Sequence, residues 1–508
     1  MHQHAIACKF HPSFPHHALS LPIFSLQSPN SRLLSFFPSS PRRQRVNTSV
    51  FLRCRSSATA DVSPVRYDSS VGSGGDRISE NSRGVFLAEK PIDVATLGNL
   101  CVDIVLGVPE LPPPSRRDRE AFMDKFSASP PDKKYWEAGG NCNMAIAAAR
   151  LGLKCVAIGH VGDEIYGEFL LDVLQEEGID MVEMRREKSA MDPRPKYQTL
   201  LCWVLVDSLQ RHAFCRSTEG FMLLFFSPAD YYQEPAFNWI TDLSDEVKTA
   251  IRQSKVLFCN GYDFDELSPS FITSTIDYAT QVGTYIFFDP GPRGNSLANG
   301  TPEKQKALVH LLRMSDVLLL TSEEAEALTG IRNPVQAGQQ ILRSGKRTKW
   351  VIVKMGSKGS ILITTSSVSL APAFKVDIID TVGCGDSFVA AIALGFIRNM
   401  PLVNTLTIAN AVGAATAMGS GAGRNVARRQ QVIDLMKASK LNDDHDICKE
   451  LLSENLDCSN VTLLSKGVIN GSSSSSSRVE RVSMEKVVSE LLTELELERF
   501  SMKVSSPC

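Results

Sequence analysis

Short apolar runs alternate with helical patterns across residues 92–353, and that alternation limits the possible folds more than any other feature of the chain. Residues 92–97, 155–158, 256–259, 285–289, 317–320 and 350–353 are rich in β-branched or aromatic side chains, as strands are. The spacing predicts helices at 164–177, 270–281, 302–314, 323–329 and 334–343, and the Ala-rich run 143–151 reads as a buried helix. Residues 199–206 and 211–215 flank Asp207–Gln210 as a hairpin would. Alternating β and α predicts an α/β fold, with a mostly parallel sheet covered on both faces. Ligands in such sheets sit beyond the carboxyl ends of the strands.

The rest of the chain is uneven. Residues 1–60 contain no Asp or Glu but seven basic side chains, eleven serines and five of the nine histidines. That composition predicts an organelle transit peptide, with Ser and Pro favouring the chloroplast stroma. Without it the net charge of −2 becomes −9, which gives nucleic acid no basic surface to bind. No apolar run is long enough to span a membrane, so no membrane partner is expected. The twelve cysteines are dispersed and form no CxxC pair, unlike a disulfide framework or zinc site. Residues 61–90 read as a disordered linker and 91–440 as one large domain. A flexible Ser-rich linker is expected at 441–477, then an amphipathic C-terminal helix and tail at 478–508. That helix is expected to pack back on the domain, with a partner-binding role as the sharper alternative.

The densest chemistry lies in Asp380–Phe388, DTVGCGDSF, between a strand-like run at 374–379 and a helix-compatible run at 387–397. Gly383 and Gly385 flank Cys384 just before that helix. Glycines let backbone N–H groups turn toward an anion, and the helix N-terminus adds partial positive charge. Asp386 lies in the first turn, where an acid opposes phosphate unless it serves as a base for an attacking hydroxyl. A plain helix cap is the competing reading.

DTVGCGDSF resembles the second signature, DTxGxGDxF, of the PfkB (ribokinase-like) carbohydrate kinase family. AGGNCNMAIAAARLG, with Gly139, Gly140 and Asn143, resembles the first, and the likeness covers about residues 92–425. The overall look is of a plant plastid-type member. The resemblance implies a ribokinase-like three-layer α/β/α fold with a small β lid. It implies a phosphotransferase that moves the ATP γ-phosphoryl group, with Mg2+, to a hydroxyl of a sugar or nucleoside. Asp386 would be the general base, and Gly383, Cys384 and Gly385 the anion hole. Asp103, Gly139, Gly140 and Asn143 would bind the acceptor; Thr381, Gly356, Gly359 and Asn410 would lie on the ATP side. Glu324 would help hold Mg2+, and Asp289 and Arg293 match a further family stretch. A monovalent cation and a homodimer through the lid are compatible with the family.

Three positions depart from the pattern. Thr321 stands where the family's NxxE stretch has Asn, the GGNCN loop is one residue short, and Cys384 replaces the usual Ala. A thiol at a helix N-terminus tends to a lowered pKa, although an inert cysteine is the simpler expectation. Two insertions are expected, at 113–136 near the lid and at 216–247, the latter with Phe225, Phe226, Tyr231, Tyr232, Phe237 and Trp239. The competing function is a catalytically weak PfkB-fold interaction protein with a plastid protein partner, supporting plastid gene expression or photosynthetic complexes. The presence of Asp386 favours the kinase.

Overall fold

The computed structural model describes residues 90–113, 132–184, 199–208, 211–218, 221–224, 236–420, 422–438, 440–442, 460–465 and 478–504, together with Asp118, Phe122 and Leu451. The expected transit peptide and all of the first linker but Lys90 lie outside the described residues, as do Phe225, Phe226, Tyr231 and Tyr232.

An eleven-stranded sheet runs in the order β16-β15-β14-β13-β12-β11-β10-β9-β1-β4-β5. Its centre is parallel and is built from the runs expected as strands. These are β1 (Ile92–Leu97), β4 (Cys155–Gly159), β9 (Ser254–Asn260), β10 (Tyr285–Asp289), β11 (Val317–Thr321) and β12 (Trp350–Lys354). β5 (Asp180–Glu183) closes one edge. Side chains alternate along each strand. Val317 and Leu319 therefore enter one core and Leu318 and Leu320 the other.

Helices cover both faces. α1 (Asn141–Arg150), α9 (Cys384–Ile397) and α10 (Leu402–Ala417) bury Met144, Val389 and Leu406 on the first face. α4 (Pro269–Gln281), α6 (Pro302–Met314), α7 (Ser322–Thr329) and α8 (Pro334–Ser344) bury Phe271, Leu308, Ala325 and Val335 on the second. Three of these start on a capping residue followed by Pro at the first helical position: Ser268-Pro269, Thr301-Pro302 and Asn333-Pro334. The cap oxygen satisfies an N–H that has no helical partner, and Pro there loses no hydrogen bond. α2 (Ile165–Glu176), α3 (Asp245–Gln253), α5 (Arg293–Ala298) and α11 (Arg429–Ala438) complete the described helices of the domain.

A second, five-stranded sheet has the order β3-β2-β6-β7-β8. It contains the expected hairpin, β6 (Leu200–Val206) against β7 (His212–Thr218), with β8 (Phe221–Leu224) outside it. β2 (Leu100–Gly107) and β3 (Trp136–Gly140) were not expected as strands. β2 pairs antiparallel with β3 and parallel with β6. The expected small lid is thus present.

Two expectations need correction. Residues 374–379 form no strand: Phe374 makes one isolated bridge to Leu441, and the strands here are β13 (Ser360–Ile363) and β14 (Ser367–Ala371). Pro372, two residues before the run, follows the end of β14 and has no N–H to continue a ladder. Part of the expected 441–477 linker is folded, since β15 (Asn460–Ser465) pairs parallel with β14, and the segment expected as C-terminal helix and tail opens with a strand, β16 (Arg478–Ser483), parallel to β15.

The C-terminal helix α12 (Met484–Val504) packs back on the domain. Met484, Val487, Leu491 and Leu495 enter the first core, and Asn404 Nδ2 donates to Glu490 Oε2 at 2.8 Å. Leu491 is fully buried. Leu491→Ala is therefore expected to lower unfolding free energy by about 3 kcal/mol in a urea titration. A change under about 0.5 kcal/mol would mean the helix is not part of the core. Among the described residues no helix is long and apolar enough to cross a membrane.

Candidate active site

The carboxyl ends of β10, β11 and β12 bring three chemically active positions together. Asp289 ends β10, Thr321 ends β11 and Lys354 ends β12, with Thr321 and Lys354 in register. Facing them is the N-terminus of α9. Gly383 caps it with φ +77°, a left-handed conformation that glycine adopts at little cost. The first N–H groups of a helix have no carbonyl within the helix to bind; here the Cys384 N–H donates to the Thr381 carbonyl at 3.3 Å, and those of Gly385 and Asp386 follow it at the helix start.

Asp386 stands in this first turn, and Asn143 Nδ2 of α1 donates to its Oδ2 at 3.3 Å. The two residues are 243 positions apart in the chain. Asn143 is itself fixed, because its Oδ1 accepts the Gly423 N–H at 2.7 Å. Burial, reinforced by the Asp289 carboxylate, raises the Asp386 pKa to about 7. Lys354 and the Asn143 amide oppose that rise. A carboxyl poised near neutrality suits a general base.

Lys354 was missed in the sequence, although a lysine ending a central parallel strand was a usable signal. Its side chain is 16% exposed and ion-pairs with Asp289 Oδ2. Burial acts against its charge, yet Asp289, Glu324 and Asp386 outweigh burial and raise its pKa.

Glu324 and Thr321 form a capping box at the start of α7. Thr321 N–H donates to Glu324 Oε2 at 2.8 Å, and Glu324 N–H donates to Thr321 Oγ1 at 3.2 Å. Thr321 thus caps a helix at the position where the family pattern has Asn. Burial and the Asp289 carboxylate raise the Glu324 pKa to about 7.

Of the residues expected on the acceptor side, Asp103, Gly139 and Gly140 meet on the lid, whereas Asn143 is on α1 beside Asp386. Asp103 lies in β2 opposite Glu137 of β3, and its carboxylate fills the space beside Gly139. A Cβ at Gly139 would lie 2.1 Å from Asp103 Oδ1, so only glycine leaves room for that carboxylate. Gly140 has φ +59° and passes against the Asn99 carbonyl. The lid is fastened to the core by contacts no motif announced. Arg424 donates to both Glu137 oxygens at 3.1 Å, and His212 Nε2 lies 2.8 Å from Asp380 Oδ1. A groove of ≈ 630 Å³ opens beside these contacts, between Val105 and Val206 of the lid and Ile379 and Asp380.

The residues expected on the nucleotide side fall in two places. Thr381 is exposed just before α9. Gly359 and Asn410 meet around the corner after β14. A Cβ at Gly359 would lie 2.1 Å from the Ala371 carbonyl, and Asn410 Nδ2 donates to the carbonyls of Ala371 and Pro372. Ser360 Oγ donates to Asn410 Oδ1 at 2.9 Å, so Asn410 braces this corner with its whole amide. Gly356 sits at the preceding turn with φ +57° and open space around it. Arg293 donates to Asp265 Oδ2 at 3.1 Å and lies over the Tyr262 ring, so its charge is matched by Asp265. The lowered Cys384 pKa expected from the helix N-terminus is not found. Burial, with Asp380 and Asp386 beside it, pushes the thiol up to about 12 and leaves it inert.

Residues 123–196 and 230–428, more than half of the chain, match the pfkB family carbohydrate kinases. The chain belongs to that family. Its curated relatives include 5-dehydro-2-deoxygluconokinase 1 of Bacillus cereus (strain ZK / E33L), 26% identical over 339 residues, covering 64% of this chain and 89% of the relative. The "Probable fructokinase-4" of Arabidopsis thaliana is 25% identical over 309 residues, covering 59% of this chain and 87% of the relative. Among solved structures, an E. coli ribokinase-type protein in complex with ATP and Mg2+ superposes with a TM-score of 0.52 at 19% identity. It covers 68% of this chain and 99% of its own. This likeness shows the ribokinase-like fold. Membership of the pfkB family makes the chain a carbohydrate kinase.

Proposed function

We propose that this pfkB-family chain transfers the γ-phosphoryl group of ATP to a hydroxyl of a small polyol, with Asp386 as general base. One observation carries the reading: Asp386 is held by Asn143 at the N-terminus of α9, with its pKa raised to about 7. The acceptor hydroxyl would lose its proton to Asp386 as its oxygen attacks phosphorus. The Gly383–Cys384–Gly385 turn at the start of α9 would take up charge on the transferred group, the Cys384 N–H exchanging the Thr381 carbonyl for it. Asp103 would accept hydrogen bonds from acceptor hydroxyls, beside the space that Gly139 leaves.

Mg2+ fits the residues present. It is held by one or two carboxylates together with phosphate oxygens and water, and needs no all-protein cage. Among the described residues no group of three or more His, Cys, Asp or Glu is arranged as such a cage. Glu324, raised in pKa by burial and by Asp289, is the carboxylate that would hold Mg2+ through water. The ion would neutralise phosphate charge when bound.

The test is a turnover assay of the full chain with ATP, Mg2+ and a panel of acceptors. The names of the relatives put 5-dehydro-2-deoxygluconate and fructose first, followed by ribose and nucleosides. ADP formation that depends on one acceptor is expected, and that acceptor should raise the melting temperature. No turnover together with no stabilisation by ATP would overturn the reading.

A further inference from the structure

Lys354 is where the site holds a charge that neither the anion hole nor the base accounts for. A Cβ on Gly385 would lie 3.9 Å from Lys354 Nζ, so the ammonium abuts the helix turn that carries the anion-hole donors and Asp386. Its partner Asp289 ends the neighbouring strand but one, and α7 carries Glu324 on the strand between. Burying such an ion pair is weak evidence for a stabilising role, since apolar residues of similar volume usually serve as well. Placing it at the carboxyl ends of three parallel strands, against a helix N-terminus, puts it where an anionic ligand sits.

Resting on the proposed phosphoryl transfer, we infer that Lys354 is a catalytic residue whose ammonium contacts the phosphoryl group in flight. The acceptor oxygen forms its bond to the γ-phosphorus while the bond from phosphorus to the β-bridging oxygen breaks. The electron pair of that bond leaves with ADP, and the acceptor proton goes to the Asp386 carboxylate. Lys354 gives up no proton. It donates a hydrogen bond to an oxygen of the transferring group, where negative charge is shared between the entering and leaving sides. Asp289 is its positioning residue, holding the flexible four-carbon stem so that the ammonium is already in place. The carboxylates around it keep the lysine charged until phosphate arrives.

The experiment compares the full-length wild type with Lys354→Met, Lys354→Gln and Lys354→Arg. Turnover is read together with thermal stabilisation by ADP alone and by ADP with aluminium fluoride, a mimic of the transferring group. Removing a charge that acts only in the transition state should lower kcat by about 10²-fold with KM for ATP nearly unchanged. The extra affinity for ADP–aluminium fluoride over ADP should fall by a similar factor, and Lys354→Arg should recover part of it. Lys354→Gln keeps the stem and a donor without the charge, and guards against Lys354→Met failing to fold. A wild type that responds to aluminium fluoride while Lys354→Met and Lys354→Gln respond equally would overturn the inference alone. So would a rise in KM for ATP at unchanged kcat, which would make Lys354 a ground-state ligand only. A wild type that binds no nucleotide would overturn the phosphoryl-transfer reading, and this inference with it.

Discussion

Asp386→Asn is expected to lower kcat by about 10³-fold and to raise the melting temperature of the unliganded protein at pH 8. Both effects come from one property. Burial and Asp289 raise the Asp386 pKa to about 7, whereas in the unfolded chain it returns to its ordinary value of 3.8. Between those values the folded protein holds a proton that the unfolded chain has released. This contribution to stability is present in full below the unfolded pKa and is lost as pH rises to the folded pKa. Asparagine carries no charge to bury and avoids that loss. The stability gain of the variant should be largest at pH 8 and shrink toward pH 4. Wild-type kcat should follow the same direction, rising about tenfold per unit up to pH ~7 and then levelling as the carboxylate becomes the resident form. A variant that keeps wild-type turnover would remove Asp386 from the chemistry. A variant that is less stable than wild type at pH 8 would show that the carboxylate is held without strain.

Gly140→Ala is expected to be the most damaging of the small substitutions in the first signature. Gly140 has φ +59° and ψ −133°, a combination that glycine alone occupies readily. A Cβ there would lie 1.9 Å from the Asn99 carbonyl oxygen, which is backbone and already accepts the Asn141 N–H. Backbone strain and the steric conflict together should cost at least about 3 kcal/mol in denaturant unfolding. Gly178→Ala is the control. Gly178 also has a positive φ, +69°, but nothing lies within 4 Å of its Cβ position, so about 1 kcal/mol is expected. Equal losses at the two positions would mean that the contact with Asn99 adds nothing beyond the backbone conformation.

The central strands and the helices between them were legible because their signals are local. Each strand is a short apolar run, and each capped helix announces itself within four residues. The second signature was legible for the same reason: a helix N-terminus, two glycines and an acid are neighbours in sequence. The strands β2 and β3 were not, because Leu100–Gly107 and Trp136–Gly140 owe their extended form to pairing with each other, and β2 also to pairing with β6, which begins at Leu200. β15 and β16 were hidden by Ser-rich flanks and became strands only by extending the sheet beyond β14. Cys384 shows the limit of a local rule. A helix N-terminus by itself favours a thiolate, but burial and two carboxylates, Asp380 before the helix and Asp386 in its first turn, raise the thiol pKa instead.

Sequence alone determined the α/β alternation, the glycine turn at Gly383–Gly385 and the placement of Asp386 beside it. These follow from backbone preferences and side-chain chemistry over a few adjacent residues. Tertiary structure alone decided the electrostatics of the site. Asn143 reaches Asp386 across 243 positions, and Asp289, Glu324 and Lys354 converge from separate strands and a helix. A charge acquires its working pKa from whatever folds against it, and water is excluded only once the whole sheet and both helical layers are in place.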